Sequence, residues 1–172
     1  ADILPGLVES SESMETTHYS IIDKWGNAVS VTTTINSGYG SKVVVDGAGF
    51  FLNNEMDDFS AKPGVPNQFG LLGSEANSIE PGKRMLSSMT PTIVLKDDKP
   101  VLIVGSPGGS TIITAVLQVV LNVLDFEMDV NEAVDAPRIH HQWYPEHISI
   151  EDGVLDSSGT LELINMGHKV KD

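Results

Sequence analysis

Three short polar segments of the sequence could do chemistry. Gly108 and Gly109 come directly before an apolar run, and N–H groups exposed at such a glycine turn can hold a phosphate or an oxyanion. The acidic loop at residues 54–58 could receive an ammonium group, and Ser87 and Ser88 offer two adjacent hydroxyls. Each segment also has a plain structural interpretation, namely a tight turn, a solvated loop and a turn or helix cap. Taken singly, none of them specifies a reaction.

Several better-defined motifs are absent from the sequence. It contains neither the Gly-Lys-Ser/Thr of a P-loop nor the glycine spacing of a dinucleotide-binding fold. Ser106 and Ser110 do not fit the Gly-x-Ser-x-Gly elbow of serine hydrolases. His140, His141 and His147 form no His-Glu-x-x-His pair, and adjacent histidines in a strand face opposite sides. We therefore expect no metal site and no cofactor.

The composition describes one acidic globular domain. The 172 residues carry 10 Lys and Arg against 24 Asp and Glu, a net charge of −14, and 40% of them are hydrophobic. This fraction suffices for a core, whereas so few cations hardly form the basic face that nucleic acid or anionic lipid requires. The lack of cysteine excludes disulfides and a thiol nucleophile.

The longest apolar run is too short to span about 30 Å of hydrocarbon, and no signal peptide is expected at the start of the sequence.

The elements that must position these groups begin with a β-hairpin. Residues 1–15 end in a Ser- and Glu-rich stretch and are interpreted as a tail or linker. Residues 18–23 and 28–36 are predicted strands, and hydroxyl or amide side chains alternate with apolar ones along the second strand. One face of this hairpin is therefore polar.

The loop of the hairpin decides which residues of the two strands face each other. We expect a three-residue loop, Trp25-Gly26-Asn27, with Asn27 in the left-handed conformation. This loop places Thr16 opposite Asn36 and His18 opposite Thr34.

The remaining sequence predicts a long loop, a second hairpin and three helices. Residues 53–85 are too long and too rich in turn residues for an ordinary connection, so we expect this loop to be functional. Strands are predicted at residues 92–96 and 101–105, and helices at residues 112–125, 131–135 and 157–165. An extended segment begins at His168, so we expect the natural domain to continue beyond the last residue.

Five motifs, in this order along the chain, resemble the small subunit of the γ-glutamyltranspeptidase family. They are Thr-Thr-His-Tyr-Ser (16–20), Asn-Asn-Glu-Met-Asp-Asp-Phe (53–59), Lys-Arg-Met-Leu-Ser-Ser-Met-Thr-Pro (83–91), Gly-Ser-Pro-Gly-Gly-Ser (105–110) and Ala-Pro-Arg-Ile-His-His-Gln-Trp (136–143). The resemblance covers nearly all of residues 16–172. It implies an α+β fold, the αββα sandwich of N-terminal-nucleophile hydrolases, which is incomplete here because the large-subunit part and final strands are missing.

The resemblance also implies that the catalyst is made by self-cleavage. Family precursors cut themselves before the Thr of the Thr-Thr-His motif, which corresponds to the Glu15–Thr16 bond. Residues 1–15 are then the end of the large-subunit region, and residues 16–172 are a C-terminally truncated catalytic domain. A free α-amine, with a pKa of about 7.7 to 8.0, can act as the base for the hydroxyl of Thr16. If residues 1–15 stay attached, this amine is an amide and the chain is inactive.

The resemblance assigns roles to nine residues. The catalytic group is Thr16, Thr34, Gly108 and Gly109, and the substrate-binding group is Asn36, Glu55, Asp58, Ser87 and Ser88. In the first group the hydroxyl of Thr34 supports the nucleophile and the two glycines stabilise an oxyanion. In the second group Asn36 and the two carboxylates bind the substrate α-amine, and the serines bind its α-carboxylate.

The implied reaction is γ-glutamyl transfer or hydrolysis on glutathione and related compounds, with an amino acid, a peptide or water as acceptor. The alternatives are an acylase acting on glutaryl or poly-γ-glutamate substrates, and a fragment that only folds and associates. Residues 61–73 match a lid loop, in which Phe69 stands where many relatives have Tyr and therefore lacks a hydroxyl to latch the lid.

The resemblance further implies a large subunit from the same precursor as partner. Without it we expect the exposed sheet edges and apolar surface to drive self-association. Relatives are mostly periplasmic, secreted or surface-bound, and the same placement is expected here.

Overall fold

A β-hairpin opens the computed structural model, which describes residues 16–68 and 70–171; the predicted tail at residues 1–15 lies outside them. Strand β1 is Thr16–Ile22 and strand β2 is Ala28–Thr34. The two strands are antiparallel, with Thr16 opposite Thr34. The predicted hairpin is confirmed, but its predicted register is wrong by two residues.

The register differs because the loop lies one residue earlier than expected. It consists of Lys24-Trp25-Gly26, and Gly26, at φ +88°, takes the left-handed position expected for Asn27. The carboxylate of Asp23 accepts the N–H groups of Trp25 and Asn27, each at 2.9 Å, and the side-chain amide of Asn27 at 2.7 Å. This Asp-centred turn closes the loop between Asp23 and Asn27. A slip of two residues keeps every side chain on its face, so the polar face is as predicted.

A second hairpin lies against the first. Strands β3 (Thr92–Lys96) and β4 (Lys99–Val104) are antiparallel and are joined by Asp97 and Asp98, both in the left-handed region. The hydroxyl of Ser20 donates to the carbonyl of Ile103 at 3.1 Å, and that of Ser30 donates to the carbonyl of Val104 at 3.1 Å. The polar face of the first hairpin therefore packs on the end of β4.

The core lies on the other side of β4. Helix α1 (Ile112–Leu124) begins where the sequence predicted it, and a short 3₁₀ turn, Gly109–Thr111, precedes it. Its residues Ile112, Val116 and Val119 recur at helical spacing and are buried. They pack with Leu102 and Val104 of β4 and with Ala133. The order of layers is helix, second hairpin, first hairpin.

The C-terminal third adds two helices and a small sheet. Helix α2 is Val130–Asp135, β5 is Ile139–His140, β6 is Ile148–Ile150, α3 is Ser157–Asn165 and β7 is Val170–Lys171. A capping box between Asp129 and Glu132 starts α2. Arg138, the residue before β5, and Glu151, the residue after β6, form an ion pair at 2.9 Å. The positions of the three predicted helices are confirmed.

The long segment between the hairpins contains two short 3₁₀ helices, Glu55–Asp58 and Glu75–Asn77. Isolated bridges hold it together, among them Ser60 with Ser78 and Pro66 with Leu72. Within residues 16–68 and 70–171, no helix is long and apolar enough to cross a membrane.

Candidate active site

Thr16 lies at the start of β1 and is nearly buried, with 9% of its surface exposed. The hairpin register places Thr34 directly opposite. The hydroxyl oxygen of Thr34 accepts the backbone N–H of Asn36 at 2.9 Å. The structure therefore brings the two predicted threonines together. It places them directly opposite each other, whereas the predicted register placed Thr34 opposite His18.

Asn36 is held between β2 and the acidic turn. It is buried and adopts a left-handed conformation, with φ at 75°, which asparagine tolerates better than most residues. Its side-chain amide donates to the carbonyl of Asn54 at 3.1 Å. Asn54 in turn accepts the N–H of Ser37 at 2.9 Å and donates to the Ser37 hydroxyl at 2.8 Å. These bonds fix the turn that follows Asn54 relative to the end of β2.

That turn carries a pair of carboxyl groups. Glu55 and Asp58 are three residues apart in a 3₁₀ helix, so both side chains lie on one side of it. Burial first, and then the hydrogen bond with Asp58 and the charge of Asp58, together raise the pKa of Glu55 to about 7. Burial also raises the pKa of Asp58; the hydrogen bond with Glu55 lowers it, and the charge of Asp57 raises it. The pair therefore holds a proton near neutral pH, and a bound cation would displace that proton.

The two predicted serines have different partners. The hydroxyl of Ser88 donates to the carbonyl of Gly109 at 2.8 Å. The hydroxyl oxygen of Ser87 accepts the N–H of Met89 at 3.2 Å. Ser88 therefore joins its segment to the glycine turn, whereas Ser87 does not contact that turn through a hydrogen bond.

The glycine turn precedes helix α1. Gly108 has φ +126° and Gly109 has φ +56°, conformations that L side chains rarely adopt. The backbone N–H and the hydroxyl of Thr111 both donate to the carbonyl of Gly108, at 3.0 and 2.8 Å. A Cβ atom on Gly108 would lie 2.5 Å from the hydroxyl oxygen of Thr111. Position 108 therefore requires glycine for two reasons, its backbone conformation and the lack of room for a side chain beside Thr111.

A cavity of about 360 Å³ connects these groups. Seven predicted site residues line it, namely Thr16, Thr34, Asn36, Asp58, Ser87, Ser88 and Gly109. Glu55 and Gly108 are not among its lining residues. Glu55 interacts with Asp58, which does line the cavity, and Gly108 directly precedes Gly109. The cavity therefore has a hydroxyl end at Thr16 and an acidic side at Asp58.

The predicted lid segment forms one wall of the cavity. Its lining residues include Lys62, Val65 and Leu71. Phe69, the expected gate residue, lies outside the described residues. The neighbouring Gln68 accepts a hydrogen bond from the hydroxyl of Ser37 at 3.2 Å.

The chain matches the gamma-glutamyltranspeptidase family model over residues 5–172. It belongs to the gamma-glutamyltranspeptidase family. This confirms the family that the five motifs predicted.

Similar proteins agree with the family assignment. The chain is 54% identical over 171 residues to the glutathione hydrolase proenzyme of Escherichia coli, covering 99% of this chain and 29% of that protein. It therefore spans less than a third of that relative's length. A mutant of Helicobacter pylori gamma-glutamyltranspeptidase has a TM-score of 0.87 at 59% identity, over 90% of this chain and 83% of that chain.

A more distant neighbour bears on the alternative acylase interpretation. The cephalosporin acylase of Bacillus halodurans has a TM-score of 0.76 at 27% identity, over 94% of this chain and 29% of that chain. The fold is thus shared with an acylase, but the sequence is much closer to the γ-glutamyltranspeptidases. The predicted α+β fold of the N-terminal-nucleophile hydrolase type is confirmed.

Sequence reasoning gave no role to three residues that organise the site. Asn54 connects Asn36 to the acidic turn, Thr111 holds the carbonyl of Gly108, and Gln68 joins the lid segment to Ser37. Only Asn54 could have been identified, because it directly precedes the acidic pair in a recognised motif. The other two act through contacts that spacing does not encode.

One of the two adjacent histidines, His140, joins two elements of the fold. His140 hydrogen-bonds with the hydroxyl of Thr114 at 2.8 Å and with the side chain of Gln142 at 2.8 Å. Gln118 of the same helix donates to the carbonyl of Ile139 at 2.8 Å. These contacts join α1 to β5, away from the cavity.

Proposed function

We propose that the protein transfers or hydrolyses the γ-glutamyl group of glutathione and related compounds, with Thr16 as nucleophile. The observation that carries this proposal is the position of Thr16, which lies opposite Thr34 and lines the same cavity as Gly109 of the glycine turn. The relative from Escherichia coli is a glutathione hydrolase proenzyme, which supports the substrate class.

The proposed nucleophile is made by cleavage of the Glu15–Thr16 bond. Cleavage turns the amide nitrogen of Thr16 into a free α-amine, which is a base near neutral pH. The α-amine takes the hydroxyl proton as the oxygen of Thr16 attacks the γ-carbonyl carbon. Thr34, directly opposite, supports that hydroxyl.

The glycine turn then stabilises the tetrahedral intermediate. The N–H groups of Gly108 and Gly109 are the proposed donors to its oxyanion, and loss of one such donor typically costs about 3 to 4 kcal/mol of barrier. The bond from the γ-carbonyl carbon to the leaving nitrogen breaks, and the proton on the α-amine goes to that nitrogen. A γ-glutamyl ester of Thr16 remains, and water or an acceptor amine attacks it.

The acidic side of the cavity selects the substrate. An α-ammonium group placed beside Glu55, Asp58 and Asn36 displaces the proton of the carboxyl pair and makes charge-assisted hydrogen bonds. The segment containing Ser87 and Ser88 receives the α-carboxylate. This pattern favours γ-glutamyl compounds with a free α-amino acid end over glutaryl compounds.

We also propose that the large-subunit part of the precursor covers two apolar surfaces. The outer face of the first hairpin leaves 47% of Tyr19 and 55% of Ile21 exposed. The outer face of α1 leaves 51% of Ile113 and 53% of Leu117 exposed. Surfaces of this kind are normally interfaces, so the isolated chain is expected to self-associate. Light scattering of the chain with and without the large subunit tests this.

The family resemblance supports a periplasmic, secreted or surface location. Fractionation of cells that express the full-length protein tests this part of the proposal. Activity confined to the cytoplasm would contradict it.

The proposal is tested with the full-length precursor and two chromogenic substrates, a γ-glutamyl anilide and a glutaryl anilide. We expect turnover of the first to exceed that of the second by at least a hundredfold, because only the first carries the α-ammonium. Thr16→Ala should abolish turnover, whereas the matched control Thr17→Ala, on the opposite face of β1 and not among the residues that line the cavity, should keep it. Preference for the glutaryl substrate supports the acylase alternative, and full activity of Thr16→Ala contradicts the mechanism.

A further inference from the structure

The imidazole ring of His18 is held at both of its nitrogen atoms. Nδ1 hydrogen-bonds with the hydroxyl of Thr32 at 2.8 Å, and Nε2 hydrogen-bonds with the hydroxyl of Ser20 at 3.0 Å. The single proton of the Ser20 hydroxyl goes to the carbonyl of Ile103 at 3.1 Å, so Nε2 must donate to Ser20 and Nδ1 must accept from Thr32. Burial lowers the pKa of His18, which agrees with a neutral ring. The orientation of the ring is therefore fixed.

The ring does not serve as a base for the proposed nucleophile. His18 lies two residues after Thr16 in β1, so both side chains are on the same face of the strand. However, both ring nitrogens already have partners, and His18 is not among the residues that line the cavity. Any role of the ring in the reaction must therefore come from what it packs against.

The ring packs against Gly105, the first residue after β4. A Cβ atom added to Gly105 would overlap Cε1 and Nδ1 of His18. Gly105 is not among the glycines with a positive φ, so its φ does not by itself exclude alanine. Glycine is needed at this position because the backbone directly contacts the ring of His18.

The contacts between β1 and this segment follow a regular register. Ser20 of β1 bonds to the carbonyl of Ile103. Two residues earlier in β1, His18 packs on Gly105, which is two residues later in the other segment. The next step of the same series brings Thr16 level with the start of the glycine turn.

Only a short and stiff piece of chain separates Gly105 from the proposed oxyanion donors. Two residues join it to the glycine turn, and one of them is Pro107, whose ring fixes its own φ. Thr16 and Gly109 line the same cavity, which agrees with the register. A displacement at Gly105 should therefore move the glycine turn relative to the hydroxyl of Thr16.

Resting on the proposed function, we propose that His18 is a positioning residue whose ring, packed on Gly105, sets the distance between the glycine turn and the hydroxyl of Thr16. Oxyanion stabilisation depends on donors that are in place before the reaction, and a misplacement of about 1 Å can cost a hundredfold in rate. A change at this contact should therefore weaken binding of the transition state and leave binding of the substrate's α-amino acid end nearly unchanged.

The test compares two ligands of the processed full-length enzyme. L-norvaline has the α-amino acid end of glutamate and a methyl group in place of the γ-carboxyl group. The boronic acid analogue of glutamate has boron in place of the carbon of that carboxyl group, and the boron becomes tetrahedral on reaction with Thr16. The variants are Gly105→Ala, His18→Ala and the double variant. For each, kcat and KM for the γ-glutamyl anilide and the stability to chemical denaturation are measured alongside.

We expect Gly105→Ala to lower kcat and boronate affinity about 100-fold, because the added methyl group meets the ring and displaces the turn. Norvaline affinity should change less than threefold. His18→Ala removes the ring and should lower kcat and boronate affinity about tenfold. In the double variant the methyl group has room, so kcat should be no lower than in His18→Ala alone.

The matched control is Gly159→Ala in helix α3. This glycine also lacks a positive φ, and its added Cβ atom would lie 3.3 Å from the side chain of Leu155. We expect its kcat to equal that of the wild type.

Three results would overturn the proposal. In the first, Gly105→Ala lowers kcat by the same factor with and without the ring of His18. In the second, norvaline and boronate affinities fall together, which indicates general damage to the cavity. In the third, Gly105→Ala lowers stability while kcat stays unchanged.

Two further arms separate this proposal from the proposed function. If Gly105→Ala blocks self-cleavage, the subunits are expressed as separate chains so that Thr16 is the first residue without processing; if that variant does not fold, an unchanged kcat in His18→Ala contradicts the proposal. If the wild-type enzyme binds the boronate no more tightly than norvaline, or does not turn over the anilide, the proposed function itself fails.

Discussion

The proton held by Glu55 and Asp58 should make substrate binding depend on pH. Because burial and the neighbouring Asp58 raise the pKa of Glu55 to about 7, Glu55 is mostly protonated at pH 6 and mostly charged at pH 8. An α-ammonium group favours the charged form, so binding releases a proton below the pKa and affinity rises with pH. For one group with this pKa, the dissociation constant should be about tenfold larger at pH 6 than at pH 8.

The variant Glu55→Gln removes this titration. Its side chain is neutral at every pH. It should therefore bind L-norvaline, an α-amino acid without a γ-carboxyl group, more weakly than the wild type at both pH values and at least tenfold more weakly at pH 8, with an affinity that does not change between them. Titration calorimetry with L-norvaline measures this without turnover. Glu75→Gln, a neutralised exposed carboxylate in the other 3₁₀ helix, should keep the wild-type profile. A wild-type slope that survives in Glu55→Gln would refute the assignment of the proton.

Two further substitutions test the glycine turn and the core, each with a control. Gly108→Ala forces φ +126° on an alanine and meets the hydroxyl of Thr111, so it should cost about 1 to 3 kcal/mol of stability and lower kcat at least a hundredfold. Gly47→Ala, at φ +75° with open space around it, should leave kcat unchanged. Ile112→Ala, at 1% exposure, should cost about 2 to 5 kcal/mol in chemical denaturation, whereas Ile113→Ala, at 51%, should cost less than about 1 kcal/mol. Equal losses for the two isoleucines would contradict the assigned core.

The sequence predicted most of the elements because their signals are local. Helix α1 follows from its apolar run, α3 from the stop at Gly167, and the second hairpin from the Asp97-Asp98 turn. The register of the first hairpin was missed because two adjacent three-residue loops were possible. The choice between them depended on the side chain of Asp23, which captures the loop N–H groups.

The site could be predicted only as a set of residue types. The motifs named Glu55 and Asp58, but the raised pKa of Glu55 depends on its burial in the folded chain and on its position beside Asp58. Likewise, the sequence does not distinguish Ser87 from Ser88. Only the three-dimensional structure shows that Ser88 donates to the carbonyl of Gly109. Contacts of this kind join residues about twenty positions apart, and no local pattern encodes them.

The most direct test of the account is mass spectrometry of an active, full-length preparation quenched during turnover of a γ-glutamyl substrate. We predict a small subunit that begins at Thr16 and carries a γ-glutamyl group in ester linkage on that residue. An active preparation in which the Glu15–Thr16 bond is intact, or in which the γ-glutamyl group is attached to another side chain, would contradict the account.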